Sequence, residues 1–247
     1  PVDIWYPLEK NMKPALCHQY SIGAEQEIQG GLTLYAGIFY KKMKHVKDFS
    51  SGLSTKYTAL TDNMITGSGH ARGVEFNLAL EHRKISARFN YTLSESKRKF
   101  AEINNGKSFF PPYDVKHNVV VNTSYDISTR LTFNSLWTFS SGVYTTFPVG
   151  VAVAHNISSS QNKPILVPVY TDRYNYKLPN NHRLDLSLDY TIPYKYASLK
   201  LSIGAYNVYN QSNPSFVYFK AEQTATNIPK SKVMLPFIPY ISFKIKL

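Results

Sequence analysis

Two basic clusters and a set of loop aromatics are the residues best suited to chemistry with a partner. The run KKMKHVK covers Lys41 to Lys47, and Lys97, Arg98 and Lys99 form the second cluster. With a formal net charge of +12, such clusters suit nucleic acid, an anionic lipid or an anionic ligand. The basic residues are not interleaved with the aromatic platform of a nucleic-acid module, which argues against the first. Phe109, Phe110, Tyr113, Tyr144, Phe147, Tyr170, Tyr174 and Tyr176 lie in stretches without periodicity. Their ring faces could stack on sugars, catechol groups or haem. Packing within loops and at an interface competes for the same rings.

Catalysis and metal binding find little support. His155 and His182 fall near loops, yet there is no HExxH, no paired-His spacing and no Cys–His cluster. The single cysteine, Cys17, forbids an intrachain disulfide. Gly67, Gly69 and Gly73 in GSGHARG lack dinucleotide-loop spacing and no helix follows, so they read as strand entry and close strand packing. No Ser-His-Asp arrangement emerges from spacing. No cofactor is expected.

The elements that carry these residues are strands. In Asn181 to Asn210, Leu184, Leu186 and Leu188 alternate with Asp185, Ser187 and Asp189. After a short joint, Leu199, Leu201, Ile203 and Ala205 alternate with Lys200, Ser202, Gly204 and Tyr206. A period of two places each set on one strand face. The result is a hairpin with an apolar face, a polar face and Tyr190, Tyr194 and Tyr196 at its tight end.

The same grammar predicts strands over 16–28, 32–46, 69–81, 85–93, 115–126 and 130–145, and a last one to Leu247. The second hairpin strand could extend through Phe219. Residues 1–15, 47–66, 95–114, 146–180 and 221–232 read as loops. No apolar run approaches the roughly 18 residues of a spanning helix.

Connections alternate strictly between tight and long, and Glu75, Glu81, Arg88, Asp185, Asp189 and Lys200 all oppose the apolar set. Outer-membrane barrels sort their connections this way, with short periplasmic turns and long extracellular loops. The expected fold is all-β, an antiparallel up-and-down transmembrane β-barrel. The nine predicted strands are an odd number, whereas single-chain bacterial barrels have an even count. Residues 1–247 are therefore expected to be the C-terminal part of a barrel whose N-terminal strands lie elsewhere.

Five stretches in order resemble the C-terminal half of TonB-dependent outer-membrane receptors: GSGHARGVEFNL (67–78), PPYDVKHNVVVNTSY (111–125), LPNNHRLDLSLDY (178–190), AYNVYNQSNP (205–214) and LPFIPYISFKIKL (235–247). The resemblance implies a barrel of about 22 strands around an N-terminal plug, with import powered through the TonB protein. The usual cargo would be a ferric siderophore; oligosaccharide, peptide and vitamin-like cargoes stay open. A surface lipoprotein could cap the barrel. Leu247 departs from the terminal Phe usual in such barrels, although Phe243 keeps an aromatic in the same row.

Within that frame Phe110, Tyr113, Tyr144, Tyr170 and Tyr174 are the candidate ligand-binding residues. Lys41, Lys42, Lys44, Lys97, Arg98 and Lys99 become candidate contacts for lipopolysaccharide phosphates or an anionic ligand at the outer rim. Two alternatives remain open at this point. One is a soluble all-β binding module with its apolar faces inward. The other is an outer-membrane enzyme of the phospholipase kind, for which no rim Ser–His pair stands out.

Overall fold

A computed structural model describes residues 12–50, 63–155, 164–219, 229–233 and 235–246. In chain order the strands are β1 (Leu16–Ile28), β2 (Leu32–Phe49), β3 (Met64–His82), β4 (Ile85–Lys99), β5 (His117–Asp126) and β6 (Leu131–Ser140). Next come β7 (Tyr144–Thr145), β8 (Gly150–His155), β9 (Pro164–Val169) and β10 (Tyr176–Lys177). The last are β11 (Asn181–Pro193), β12 (Ser198–Tyr206), β13 (Pro214–Phe219), β14 (Pro229–Val233) and β15 (Ile238–Lys246). Nine of them form one antiparallel sheet in the order β1-β2-β3-β4-β5-β6-β11-β12-β15, an open up-and-down wall. The terminal Leu247 lies outside the described residues.

Pairing keeps like faces together from strand to strand. One row runs Leu34, Leu78, Phe89, Val121, Trp137 and Leu184. Another runs Ile85, Tyr125, Phe133, Leu188, Ile203 and Ile241. A row on the opposite face runs Glu75, Thr92, Asn118, Ser140 and Asn181. The apolar rows stay uncovered: Ile22 is 71% exposed, Ile241 72% and Phe243 77%. A continuous apolar face of this size is costly in water and suited to lipid.

The strands differ from expectation where local sequence is polar. β4 runs on to Lys99, so Lys97, Arg98 and Lys99 belong to the strand rather than lying just beyond it. The chain past β4 returns to pair with it: Arg98 N donates to Phe109 O and Phe109 N to Arg98 O, both at 2.9 Å. β6 stops at Ser140, not Thr145. There Gly142 passes so close to the Leu178 carbonyl that a Cβ would collide with it. The 146–180 stretch holds the β8–β9 pairing, because VAVAH and PILVPV are rich in β-formers despite the prolines, and β10 within it pairs back with β7 just before it. Nor does β12 reach Phe219. Asn207, at φ 53°, turns the chain out of the sheet, and β13 pairs with β14, most of which falls in the predicted 221–232 loop.

Asparagine amides stitch the long-loop end together. Asn213 exchanges two hydrogen bonds with the His182 backbone (3.0 and 2.9 Å). Asn175 does the same with Phe147, both at 2.8 Å. Asn207 is fully buried; its amide bonds Gln211 and Leu235, and its own N–H donates to Asp185. An amide presents a donor and an acceptor side by side, so each acts as one peptide unit of a missing strand.

Two outcomes follow from this frame. Leu188→Arg, on the lipid face near the middle of β11, should destabilise the folded barrel by about 2–4 kcal/mol. Asn77→Arg on the other face should stay within about 1 kcal/mol; chemical unfolding in detergent or lipid measures both. Asn207→Ala, which leaves several buried backbone groups unpaired, should cost about 2–4 kcal/mol in the same assay.

Candidate functional site

β2, β3 and β4 outrun β5 and β6 at the long-loop end, and one backbone irregularity decides what they present there. The register between β2 and β3 slips at His45, a bulge residue with φ 54°. Before it, Lys42 and Lys44 share the outward face with Tyr40, and Lys41 and Met43 face the lumen. After it the sense reverses. Val46 and Asp48 turn to the lumen, and Lys47 turns outward to donate to Thr66 Oγ1 at 2.6 Å. One extra residue thereby sends an apolar and an acidic side chain inward.

On the inner side, Val46 packs with Phe100, Ile103 and Phe109, and Met43, Ile65 and Tyr174 lie against them. Phe109 stacks between Phe100 at 6.1 Å and Tyr174 at 5.5 Å. The PPYD turn closes beside this cluster. Asp114 is buried, accepts from Ser96 N on β4 at 2.6 Å and donates its N–H to Pro111 O. Burial pushes the Asp114 carboxyl above the usual carboxylate range, against the lowering pull of the Ser96 N–H. The turn presents Tyr113 to the Arg98 guanidinium, which lies 4.9 Å from the ring centre. Arg98 Nε is buried with no hydrogen-bond partner among the described residues.

A clamp joins this cluster to the next long loop. Asn104 exchanges two bonds with the Arg173 backbone, at 3.0 and 2.8 Å. The Arg173 side chain reaches Asp48 at 3.4 Å and Ser50 O at 3.0 Å. Partial burial raises the Tyr113 and Tyr174 phenols above their ordinary value, and the Asp48 carboxylate adds to the effect at both. Both are hydrogen-bond donors with aromatic faces under the loops.

The five aromatic candidates do not form one vestibule. Tyr113 and Tyr174 join the inner cluster. Phe110 stacks on Tyr144 at 4.8 Å, between Lys97 at 4.9 Å and Lys177 at 5.8 Å from the respective rings, which places that pair with the outward-facing Lys97. Tyr170, 53% exposed past β9, joins neither group. The basic candidates divide too: Lys42, Lys44, Lys97 and Lys99 face outward, whereas Lys41 and Arg98 face the lumen. The extension of β4 to Lys99, beyond the end at residue 93 expected from sequence, makes this division. Asp48, Asn104 and Arg173 had no signal, since they meet only through the bulge and the clamp.

A second lumen-face recess of about 440 Å³ is lined by Asn118, Thr138, Ser140, Asn181, Arg183 and Tyr206 among others. Arg183 bonds Asp185 at 3.0 Å and the Tyr206 hydroxyl at 2.7 Å, and Asn181 Oδ1 is buried without a partner. Among the described residues no group of three or more His, Cys, Asp or Glu could hold a metal ion.

The family described as TonB dependent receptor-like, beta-barrel, matches residues 4–208. This chain belongs to that family. Among solved structures it is similar to the ferric-catecholate import receptor Fiu of Escherichia coli K12, at 13% identity and TM-score 0.55, covering 96% of this chain and 28% of Fiu. It is similar to the ferric citrate transporter FecA, at 16% identity and TM-score 0.56, covering 93% of this chain and 31% of FecA. The FrpB iron transporter of Neisseria meningitidis matches at 13% identity and TM-score 0.57, covering 96% and 32%. At such identities the likeness is one of fold, and the chain spans about a third of each relative's length. No curated protein matches its sequence.

As part of a TonB-dependent receptor barrel, the wall lies in the bacterial outer membrane, long loops outward and tight turns toward the periplasm. The family is one of receptors rather than enzymes, so the phospholipase and soluble-module alternatives fall away. Breaking the loop clamp with Asn104→Ala or Arg173→Ala should raise amide exchange across 100–116 by about tenfold or more, as loss of about 1–3 kcal/mol of local stability requires; hydrogen-exchange mass spectrometry reads it.

Proposed function

We propose that this wall belongs to a receptor that captures a ferric siderophore at its outer loops and imports it through a plugged lumen. The remaining strands, the plug and TonB acting on that plug complete the machine. The observation that carries the reading is the inner cluster: Tyr113 and Arg98 side by side, with Tyr174 nearby, on the lumen face under clamped loops. A guanidinium with no acidic partner among the described residues favours an anionic oxygen, and rings beside it offer stacking. Ferric catecholates combine negative charge, clustered oxygens and aromatic faces, and so match both features.

Capture would use Arg98 as the charged anchor and Tyr113 as a stacking face. The fixed Asn104–Arg173 clamp would hold them so that little loop ordering is needed on binding. Passage would then follow when TonB pulls on the plug.

Fluorescence titration of the complete receptor with a ferric tris-catecholate tests the reading. Arg98→Gln should weaken binding about tenfold to a hundredfold, as expected for losing about 1.5–3 kcal/mol of a charged hydrogen bond. Unaltered affinity in both Arg98→Gln and Tyr113→Ala, or binding of a neutral oligosaccharide in preference to the chelate, would replace the siderophore by another cargo.

A further inference from the structure

The chain that leaves β4 and returns to it is held at three successive rungs, and the middle rung is a side chain. Beyond the end of β5, the N–H groups of Ser94, Ser96 and Arg98 point toward the returning segment. Ser94 N donates to Lys116 O at 3.0 Å and Arg98 N to Phe109 O at 2.9 Å, both ordinary backbone bonds. Between them Ser96 N donates to Asp114 Oδ1 at 2.6 Å. A carboxylate oxygen thus fills the rung at which a backbone carbonyl is missing.

The gap arises from register. If the pairing of Leu93 with His117 continued, Pro112 would stand opposite Arg98; Phe109 stands there instead. Residues 110–115 therefore bulge, and the bulge contains Pro111 and Pro112, which have no N–H to offer a ladder. It closes on itself through Asp114 N and Pro111 O at 3.0 Å, and Ser94 Oγ donates to Val115 O at 3.0 Å beside it. Pro111 and Asp114 are buried, whereas Pro112 and Tyr113 between them are exposed. The bulge is pinned at both ends and presents its middle. Tyr113, with its ring centre 4.9 Å from the Arg98 guanidinium, is set by the residue that follows it.

Charge is not what this rung needs from Asp114. Burial opposes the carboxylate, Glu95 adds to that, and only the Ser96 N–H with Lys177 and Lys116 pull the other way. No ion pair reaches Asp114 among the described residues. An acceptor oxygen at this place is the requirement. Asparagine would supply it; alanine would not.

We propose that Asp114 is a positioning residue for cargo capture: its carboxylate oxygen on Ser96 N fixes the 110–115 bulge and, through it, the Tyr113 ring beside Arg98. The inference rests on the capture reading of Arg98 and Tyr113, but the place of the ring is measurable without cargo.

The test uses the complete receptor in detergent, with 3-fluorotyrosine at position 113 and a ferric tris-catecholate as the ligand probe. Without chelate, Arg98→Gln marks the fluorine shift of a ring that has lost its guanidinium. Asp114→Ala should move the shift away from the parent value toward that mark. It should also raise exchange of the Ser96 amide about tenfold or more, with 100–106 protected as in the parent. Asp114→Asn should leave both readouts unaltered. In chelate titration Asp114→Ala should lose as much affinity as Tyr113→Ala, about threefold or more for a ring contact. The double variant should lose no more than Tyr113→Ala alone, because both act through one ring.

Heat-modifiable mobility on a gel confirms that each variant is a folded barrel, and Asp114→Leu, which fills the space without an acceptor, serves if the alanine form does not assemble. A parent-like fluorine shift in Asp114→Ala or Asp114→Leu would overturn the proposal. So would losses that add in the double variant, or an asparagine form as weak as the alanine form. A moved shift together with chelate binding untouched by Tyr113→Ala would uphold the positioning of the ring and sink the siderophore reading, so the two failures are told apart.

Discussion

The constraint on which everything else depends is that a strand wall in lipid must pair its backbone groups within the sheet and keep one face apolar. A slip of one residue in any pairing would exchange the two faces of that strand. Here the rows hold from β2 to β11 and on to β15, so Leu34 and Leu184 share a face although long loops separate them in sequence. The polar row through Asn118, Ser140 and Asn181 is the necessary complement. The lumen cluster against β2–β4 is a consequence of that rule.

The single slip in the described part of the nine-stranded sheet is informative for that reason. It occurs at His45, beyond the last lipid-facing residues, where exchanging faces no longer exposes polar groups to hydrocarbon. There it turns Val46 and Asp48 inward, and with them the only buried apolar cluster among the described residues becomes closed. Arg173 then finds Asp48, Asn104 finds the Arg173 backbone, and the two loops are fixed relative to β2. Loop rigidity at the mouth thus traces back to one bulge.

Asparagine performs a related task along the rest of that end. Where β-pairing stops, Asn213, Asn175 and Asn104 replace it with side-chain amides, each meeting a backbone N–H and C=O of another segment, and Asn207 closes its own turn on Gln211 while reaching Leu235 O. Such loops carry little apolar burial of their own, so satisfied backbone groups rather than a core hold their shape.

Period-two alternation and the tight–long order of connections were enough, from sequence, to read the strands of the large sheet and the barrel class, because a lipid-facing wall must display its pattern locally in every strand. The division of the two basic runs between faces was not legible, because 95–114 read as a loop and only the structure carries β4 on to Lys99. The β8–β9 and β7–β10 pairings, the end of β12 at Asn207 and the parting of Phe110 and Tyr144 from Tyr113 and Tyr174 were not legible either. Those depend on contacts between loops far apart in sequence, on one residue at positive φ and on one inserted residue at His45, none of which has a periodic signature. Sequence by itself determined which side chains could face lipid or lumen; only the tertiary structure decided which of them meet, because meeting is set by register and loop return rather than by alternation.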